Sequence, residues 1–149
     1  HLLDTMVLDA TAPIPLERFI QPRIEVELAF VLGSDLPHEG CTTADVIAAT
    51  DRGFPCLELC ESRMVGWRIR LLGGLATGST ADVIGTPAGA VAWLANALGA
   101  YGVRLRAGHI VLSGSCTRAI DIAPGDEAIA RFSGLPELRV RFADDEETE

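Results

Sequence analysis

The alternation of hydrophobic and polar positions along the chain predicts several strands. Arg23–Leu32, RIEVELAFVL, is rich in β-branched residues and predicts a buried strand. FPCLELC (54–60) predicts a second apolar strand. Shorter strands are predicted over HIVLSGS (109–115), AIARF (128–132) and ELRVRF (137–142), the last with apolar and charged residues alternating, and another near the end of GGLATGSTADVIG (73–85). ESRMVGWRIRLL (61–72) fits either a helix or a strand.

A different periodicity predicts two helices. Thr42 or Thr43 can cap a short helix over ADVIAATDR (44–52), and Gly53 is expected to close it. Together, many strands and two helices predict a sheet-dominated α+β domain.

The second helix carries the stronger start signal, with Thr86 as its cap and Pro87 at its first position. Gly102 is expected to end it. Its predicted apolar stripe consists of Val91, Leu94, Ala95, Leu98 and Tyr101.

Length and charge narrow the possible partners. The 149 residues suffice for one domain with a core, and a net charge of −9 without a basic stripe argues against a nucleic-acid partner. The acidic tail, residues 144–149, is typical of a solvated end. The uncharged run 83–103 reaches membrane-spanning length, but Pro87, Asn96 and its glycines favour a soluble helix with one apolar face, so we expect no membrane association. No signal peptide is visible.

The four cysteines, Cys41, Cys56, Cys60 and Cys116, form no C-x-x-C pair and predict free thiols rather than a disulfide framework. This indicates a reducing, cytoplasmic compartment. The chain begins at His1 rather than Met, so we expect that residue 1 is not the native start.

Three glutamates lie within the two strongest strands. Glu25 and Glu27 are two residues apart and therefore share a strand face, while Glu58 stands between Leu57 and Leu59. Carboxylates in an apolar setting repel each other unless a cation neutralises them, and all-oxygen ligation favours Mg²⁺, Mn²⁺ or Ca²⁺. Alternatively, these glutamates face solvent or pair with Arg23 or Arg63.

Longer motifs add a resemblance. PRIEVELAFVLGSDL, CLELCESRMVGWRI, the run from AVAWLANALG to LSGSCTRAI, and APGDEAIARFSGLPELRVRF occur in this order. Together they resemble the 2-hydroxypenta-2,4-dienoate (2-oxopent-4-enoate) hydratases of the fumarylacetoacetate hydrolase superfamily. The resemblance implies a mixed β-roll or sandwich with few flanking helices, and residues 1–149 as a single, incomplete catalytic domain.

The resemblance also implies the site. The family's metal ligands fall on Glu25, Glu27 and Glu58, with Mg²⁺ or Mn²⁺ as the cofactor. The L-S-G-S-x-T segment places Ser113, Ser115 and Thr117 at the substrate, and Leu28 is expected to join them. The implied reaction adds water to a small 2-hydroxydienoate, giving 4-hydroxy-2-oxopentanoate in the meta-cleavage of aromatic compounds. A homo-oligomer, and contact with the downstream aldolase, are further expectations.

Two family features are missing from the sequence. The family's catalytic lysine has no counterpart here, so no catalytic acid or base is assigned. The segment D-T-[IV]-A-D-N-A-S is also absent, because WRIRL runs directly into LGGLATGSTADVIG. We therefore expect a missing stretch of a few dozen residues near Leu71 to Gly74.

Three other functions stay open. Within the superfamily these are 4-oxalocrotonate decarboxylase and acylpyruvate hydrolase. LSGS and GWRI favour the hydratase over the decarboxylase. Outside enzymes, the alternative is a non-catalytic, metal-stabilised β-rich interaction domain.

Overall fold

A computed structural model describes residues 6–61 and 85–144. The predicted elements within 62–84, including the proposed seam near Leu71 to Gly74, lie outside the described residues. The described elements, in chain order, are β1 (Arg23–Leu32), α1 (Thr43–Ala49), β2 (Thr50–Cys60), α2 (Pro87–Gly99), β3 (Ile110–Leu112), β4 (Ile120–Asp121), β5 (Glu127–Ala130) and β6 (Leu138–Arg141). The prediction of a sheet-dominated α+β protein is confirmed.

Strand β1 is the centre of the main sheet. β2 pairs with it antiparallel along nearly its whole length, from Arg23 opposite Cys60 to Leu32 opposite Thr50. On its other edge β1 pairs with two short strands, β3 near one end and β4 near the other. Because side chains alternate along β1, one face carries Ile24 and Leu32 toward the hydrophobic core and the other carries the glutamates.

Helix α1 begins as predicted but ends earlier. Thr42 caps it, and the Thr42 and Asp45 side chains form a reciprocal capping box. The prediction that Gly53 closes it is wrong: the backbone becomes extended at Thr50, and Gly53 lies inside β2 opposite Phe30. Pairing with β1 therefore outweighs the local stop signal.

Helix α2 also begins where the sequence predicts, since the Thr86 hydroxyl accepts from the Gly89 N–H and Pro87 follows. It ends at Gly99 rather than at Gly102, which lies beyond the helix in a turn with φ +71°. Tyr101 is consequently 83% exposed and does not belong to the predicted apolar stripe. No helix in the described parts of the chain is long and apolar enough to cross a membrane.

Two hydrophobic clusters pack against the sheet. The larger joins the helices to the end of β1 through Leu32, Val46, Val91 and Ala95. The smaller joins Ile24 to Val140 and Phe142 of the β5–β6 hairpin region. The alternation predicted for 137–142 is confirmed by the burial of Val140 and Phe142, whereas the strand predicted over 109–115 is only three residues long.

Asn96 links α2 to the loop before α1. Its side-chain oxygen accepts from the Cys41 N–H at 2.8 Å, and its Nδ2 donates to the Cys41 carbonyl at 2.8 Å. We expect Asn96→Leu to leave both backbone groups unpaired and to lower the free energy of unfolding by about 2 kcal/mol. Urea denaturation would measure this, with Ala100→Leu, which introduces leucine at the exposed end of the same helix, as the control. Unchanged stability of Asn96→Leu would contradict this role.

Candidate active site

The strand register brings the three glutamates together. Glu25 lies directly opposite Glu58, and Glu27 lies opposite Cys56, one pair further along the same face. One carboxylate oxygen from each of Glu25 and Glu58 and the Cys60 sulfur all lie within 4.8 Å of one another. Glu27 is only 2% exposed, and Glu58 lies close enough to raise the pKa of its carboxyl. Three carboxylates therefore share one face of the sheet. Glu25 and Glu58 belong to the group of close ligand atoms, whereas Glu27 lies outside that group and stands beside Glu58.

Residues 113–117, which follow β3, lie along the edge of β1 next to the glutamates. The Ser113 N–H donates to the Leu28 carbonyl at 3.0 Å and the Cys116 N–H to the Val26 carbonyl at 2.8 Å, so the segment follows the β1 edge between β3 and β4. Between these contacts the chain turns at Gly114, with φ +92°. The turn directs the Gly114 N–H to the Glu27 carboxylate at 3.1 Å.

The predicted substrate-contacting residues take different positions. The Ser115 hydroxyl donates to the Thr117 carbonyl and accepts from the Thr117 N–H at 3.2 Å, and it lies close enough to Glu25 to oppose the rise in the pKa of that carboxyl. Ser113 is buried and donates to the Gly114 carbonyl at 3.3 Å. The Thr117 hydroxyl accepts from the Val26 N–H at 3.4 Å. Leu28, by strand alternation, points its side chain to the opposite face, and its carbonyl accepts the hydrogen bond from the Ser113 N–H.

A cavity of about 690 Å³ opens beside Glu58, and Glu25, Glu27 and residues 113–117 are not among its lining residues. Its lining includes Glu58 and Cys60, and it continues along apolar side chains such as Phe54 and Leu112. This volume lies within the range of small-molecule sites.

Sequence reasoning did not assign a role to Gly114 or Cys60. Cys60 follows Glu58 by two residues, so strand alternation is the signal that puts it on the same face. The contact of Gly114 with Glu27 depends on tertiary pairing, which no local pattern reveals.

Burial and mutual repulsion raise the pKa values of Glu25 and Glu27. Burial, the hydrogen bond with Glu58 and the charge of Glu58 raise the pKa of Glu27 to about 8, although the Gly114 N–H opposes the change. Burial and then the charge of Glu58 raise the pKa of Glu25, while hydrogen bonds from Cys60 and Ser115 oppose it. Without a cation, this part of the protein therefore holds protons that ordinary glutamates would release.

The donor set fits a hard divalent cation. The carboxylates supply oxygen atoms, and a cation would remove the repulsion that raises their pKa values. Arg23, one of the two alternative partners considered for the glutamates, forms an ion pair with Asp121 at 2.7 Å; Arg63 lies outside the described residues.

The raised pKa values predict a pH dependence for the metal-free protein. The folded chain holds protons that the unfolded chain releases near pH 4.5, so stability falls as the pH rises from about 4.5 to about 8. For one group the slope is at most about 1.4 kcal/mol per pH unit. Asp45 and Glu137 have lowered pKa values, so they change the stability of the protein only at lower pH, outside this window. Urea unfolding with a chelator between pH 5.5 and 8 would measure the slope.

Glu27→Gln, which cannot titrate, serves as the control and should flatten this slope. Stability that rises with pH across the same window in the unsubstituted, metal-free protein would contradict the assignment.

Comparison with known proteins agrees with this geometry. The chain is 35% identical over 184 residues to 2-oxo-hept-4-ene-1,7-dioate hydratase from Escherichia coli, covering 95% of this chain and 69% of the relative. It is 31% identical over 182 residues to 2-hydroxyhexa-2,4-dienoate hydratase from Comamonas testosteroni, covering 96% and 69%. The chain belongs to the 2-hydroxydienoate hydratase family of the fumarylacetoacetate hydrolase superfamily. No protein-family model matches it.

A solved structure resembles this hydratase-family chain closely. 4-Oxalocrotonate decarboxylase from Pseudomonas putida G7, complexed with magnesium and adipate, matches with a TM-score of 0.77 and 30% identity, covering 87% of this chain and 63% of that chain. The same enzyme complexed with calcium and acetate matches with a TM-score of 0.75 and 31% identity, covering 87% and 62%. The superfamily fold is therefore shared by a hydratase-like sequence and a decarboxylase.

The chain is shorter than these relatives. It spans 69% of the length of the Escherichia coli enzyme and 63% of the decarboxylase chain. The alignment with the former runs over 184 residues, more than the 149 of this chain, so that relative has residues here without a counterpart. All 12 basic residues, apart from histidines, are arginines, so no lysine in this sequence can fill the catalytic role that the family resemblance implies.

Proposed function

We propose that this protein is a divalent-metal-dependent hydratase that adds water to a 2-hydroxypenta-2,4-dienoate, the enol form of 2-oxopent-4-enoate. The single observation that carries this proposal is that Glu25, Glu27 and Glu58 share one sheet face beside the 113–117 segment, with Glu25 and Glu58 in the group of close ligand atoms. The hydratases among its relatives, and the magnesium in the decarboxylase structure, support it.

The three carboxylates would hold Mg²⁺ or Mn²⁺. When bound, the cation would supply Lewis-acid stabilisation of negative charge on the carboxylate and 2-oxygen of the substrate. The Gly114 N–H donates to one oxygen of Glu27, so this backbone group orients that ligand before a cation arrives. The apolar part of the cavity, at Phe54 and Leu112, would exclude water from the diene.

Decarboxylation of 4-oxalocrotonate is a second candidate, because the solved decarboxylase matches the fold with a TM-score of 0.77. The same carboxylates would serve that reaction. The LSGS segment and its contacts with Glu25 and Glu27 favour the hydratase, since the family resemblance associates this segment with hydratases.

A direct assay tests the proposal. We expect the ultraviolet absorbance of 2-hydroxypenta-2,4-dienoate to fall in the presence of the protein and Mg²⁺, with formation of 4-hydroxy-2-oxopentanoate and without release of CO₂. A chelator should stop the reaction. Release of CO₂ from 4-oxalocrotonate would favour the decarboxylase. Cation binding without turnover of either substrate would favour the non-catalytic interaction domain and overturn the proposal.

The wider expectations belong to the same proposal. The 149 residues would form one catalytic domain with the mixed β-roll of the superfamily, and this domain would assemble as a homo-oligomer in the cytoplasm. The four free thiols support a reducing compartment. Contact with the downstream aldolase is part of this proposal, and co-sedimentation of the two proteins would test it.

A further inference from the structure

Cys60 lies against the carboxylate cluster. It follows Glu58 by two residues on β2 and therefore points to the same face, opposite Arg23 of β1. Its sulfur is one member of the group in which every ligand atom lies within 4.8 Å of the others; the other two belong to Glu25 and Glu58. The described cluster thus offers a sulfur donor as well as oxygen donors.

The orientation of Cys60 differs from that of a cysteine that only fills the core. Cys41 and Cys116 are buried, whereas Cys60 is half-buried and lines the cavity beside Glu58. The Cys60 thiol donates to the Glu58 carbonyl at 4.0 Å, and its sulfur lies within 4.8 Å of a Glu25 carboxylate oxygen. Cys56 lies on the same strand and face as Cys60 and is also half-buried, but its sulfur is outside the group of close ligand atoms. The two cysteines therefore form a matched pair: Cys60 belongs to the close group with Glu25 and Glu58, and Cys56 lies opposite Glu27 outside that group.

We propose that Cys60 is a further ligating side chain of the carboxylate site and gives it affinity for thiophilic divalent cations, such as Zn²⁺, Cd²⁺ and Co²⁺. This inference rests on the cation-binding role proposed above for Glu25 and Glu58. Binding would break the S–H bond of Cys60, form a sulfur–metal bond and release the proton to solvent, with no change of oxidation state. Soft sulfur ligands favour these ions over Mg²⁺.

A consequence follows for regulation. A thiophilic cation and Mg²⁺ would compete for Glu25 and Glu58, because both use the same carboxylate oxygens. Traces of Zn²⁺ would then displace the hard cation, and a chelator selective for zinc would restore it. The site would respond to the balance of metals in its surroundings.

Titration of the full chain with Co²⁺ tests this proposal without any measurement of activity. We expect a near-ultraviolet sulfur-to-cobalt charge-transfer band in the unsubstituted protein. Cys60→Ser should abolish the band and weaken Cd²⁺ binding by roughly 10- to 100-fold, as loss of a supporting contact already does in metal sites. It should change Mg²⁺ affinity by less than about threefold, because sulfur contributes little to hard-ion binding. Cys56→Ser should keep the band.

Two results would overturn the proposal: no charge-transfer band when the protein is saturated with Co²⁺, or a band that survives Cys60→Ser. If Cys60→Ser does not fold, ¹¹³Cd resonance of the unsubstituted protein decides, since a thiolate ligand shifts the signal far from that of an all-oxygen site. A sulfur-ligated signal supports the proposal and an all-oxygen signal overturns it. A band without hydration of the dienoate would sustain the Cys60 assignment while the proposed function failed.

Discussion

Replacing Glu58 with glutamine is expected to weaken Mg²⁺ binding by about 100-fold or more and to abolish activity with it. Glu58 interacts with both other acids, since it lies opposite Glu25 and its charge raises the pKa of Glu27. Removing its charge takes one of three anionic ligands from the cation, and ligand charge is a main determinant of affinity in such sites. Isothermal titration with Mg²⁺ and the dienoate absorbance assay would measure the two losses.

In the metal-free protein, by contrast, Glu58→Gln should not lower the free energy of unfolding. Glutamine removes the negative charge that raises the pKa values of Glu25 and Glu27, so repulsion within the cluster decreases. At pH 8 with a chelator we expect Glu58→Gln to be as stable as the unsubstituted protein or about 1 kcal/mol more stable. A substitution that damaged only the fold would instead lower stability.

The stabilisation produced by added Mg²⁺ separates the loss of a metal ligand from the loss of charge repulsion. At a concentration of 100 times its Kd, a cation stabilises the folded state by about 2.7 kcal/mol, and this gain should disappear in Glu58→Gln. Glu39→Gln is the matched control, because it also removes one negative charge, from an exposed loop position. If Mg²⁺ stabilised Glu58→Gln and Glu39→Gln equally, the assignment of Glu58 as a metal ligand would be wrong.

The sequence predicted which side chains form the candidate site better than it predicted how they meet. The alternation along β1 placed Glu25 and Glu27 on one face, and the apolar neighbours of Glu58 predicted its strand. That Glu58 lies opposite Glu25 depends on the β1–β2 register, and a slip of one residue would turn every β2 side chain to the other face. Register depends on the whole sheet, so no short motif encodes it.

The wrong helix ends have a similar origin. Gly53 is a good local stop signal, but pairing with β1 extends β2 back to Thr50 and leaves Gly53 in the sheet. Gly102 does adopt the left-handed conformation expected after a helix, yet regular helix ends at Gly99. Local signals thus identified the correct neighbourhood, and tertiary contacts decided the residue.

Replacing Gly99 with alanine is expected to cause a large loss of folding stability. Gly99 lies where α2 passes close to the loop before α1, and a Cβ atom at this position would overlap the carbonyl oxygen of His38. In an isolated helix, Gly→Ala is favourable by about 1 kcal/mol. Here the obstructing atom belongs to the backbone and cannot rotate away, so α2 or the loop must move.

We therefore expect Gly99→Ala to lower the free energy of unfolding by about 3 kcal/mol or more, beyond the typical loss from overpacking. Urea denaturation would measure this. Gly53→Ala is the control, because its Cβ would meet nothing nearer than the Ala29 carbonyl oxygen at 3.8 Å, an ordinary contact. That variant should be neutral or slightly stabilising, since alanine restricts the unfolded chain. If Gly99→Ala were as stable as Gly53→Ala, α2 would not approach the His38 loop as described, and the packing that joins the two helices would have to be redrawn.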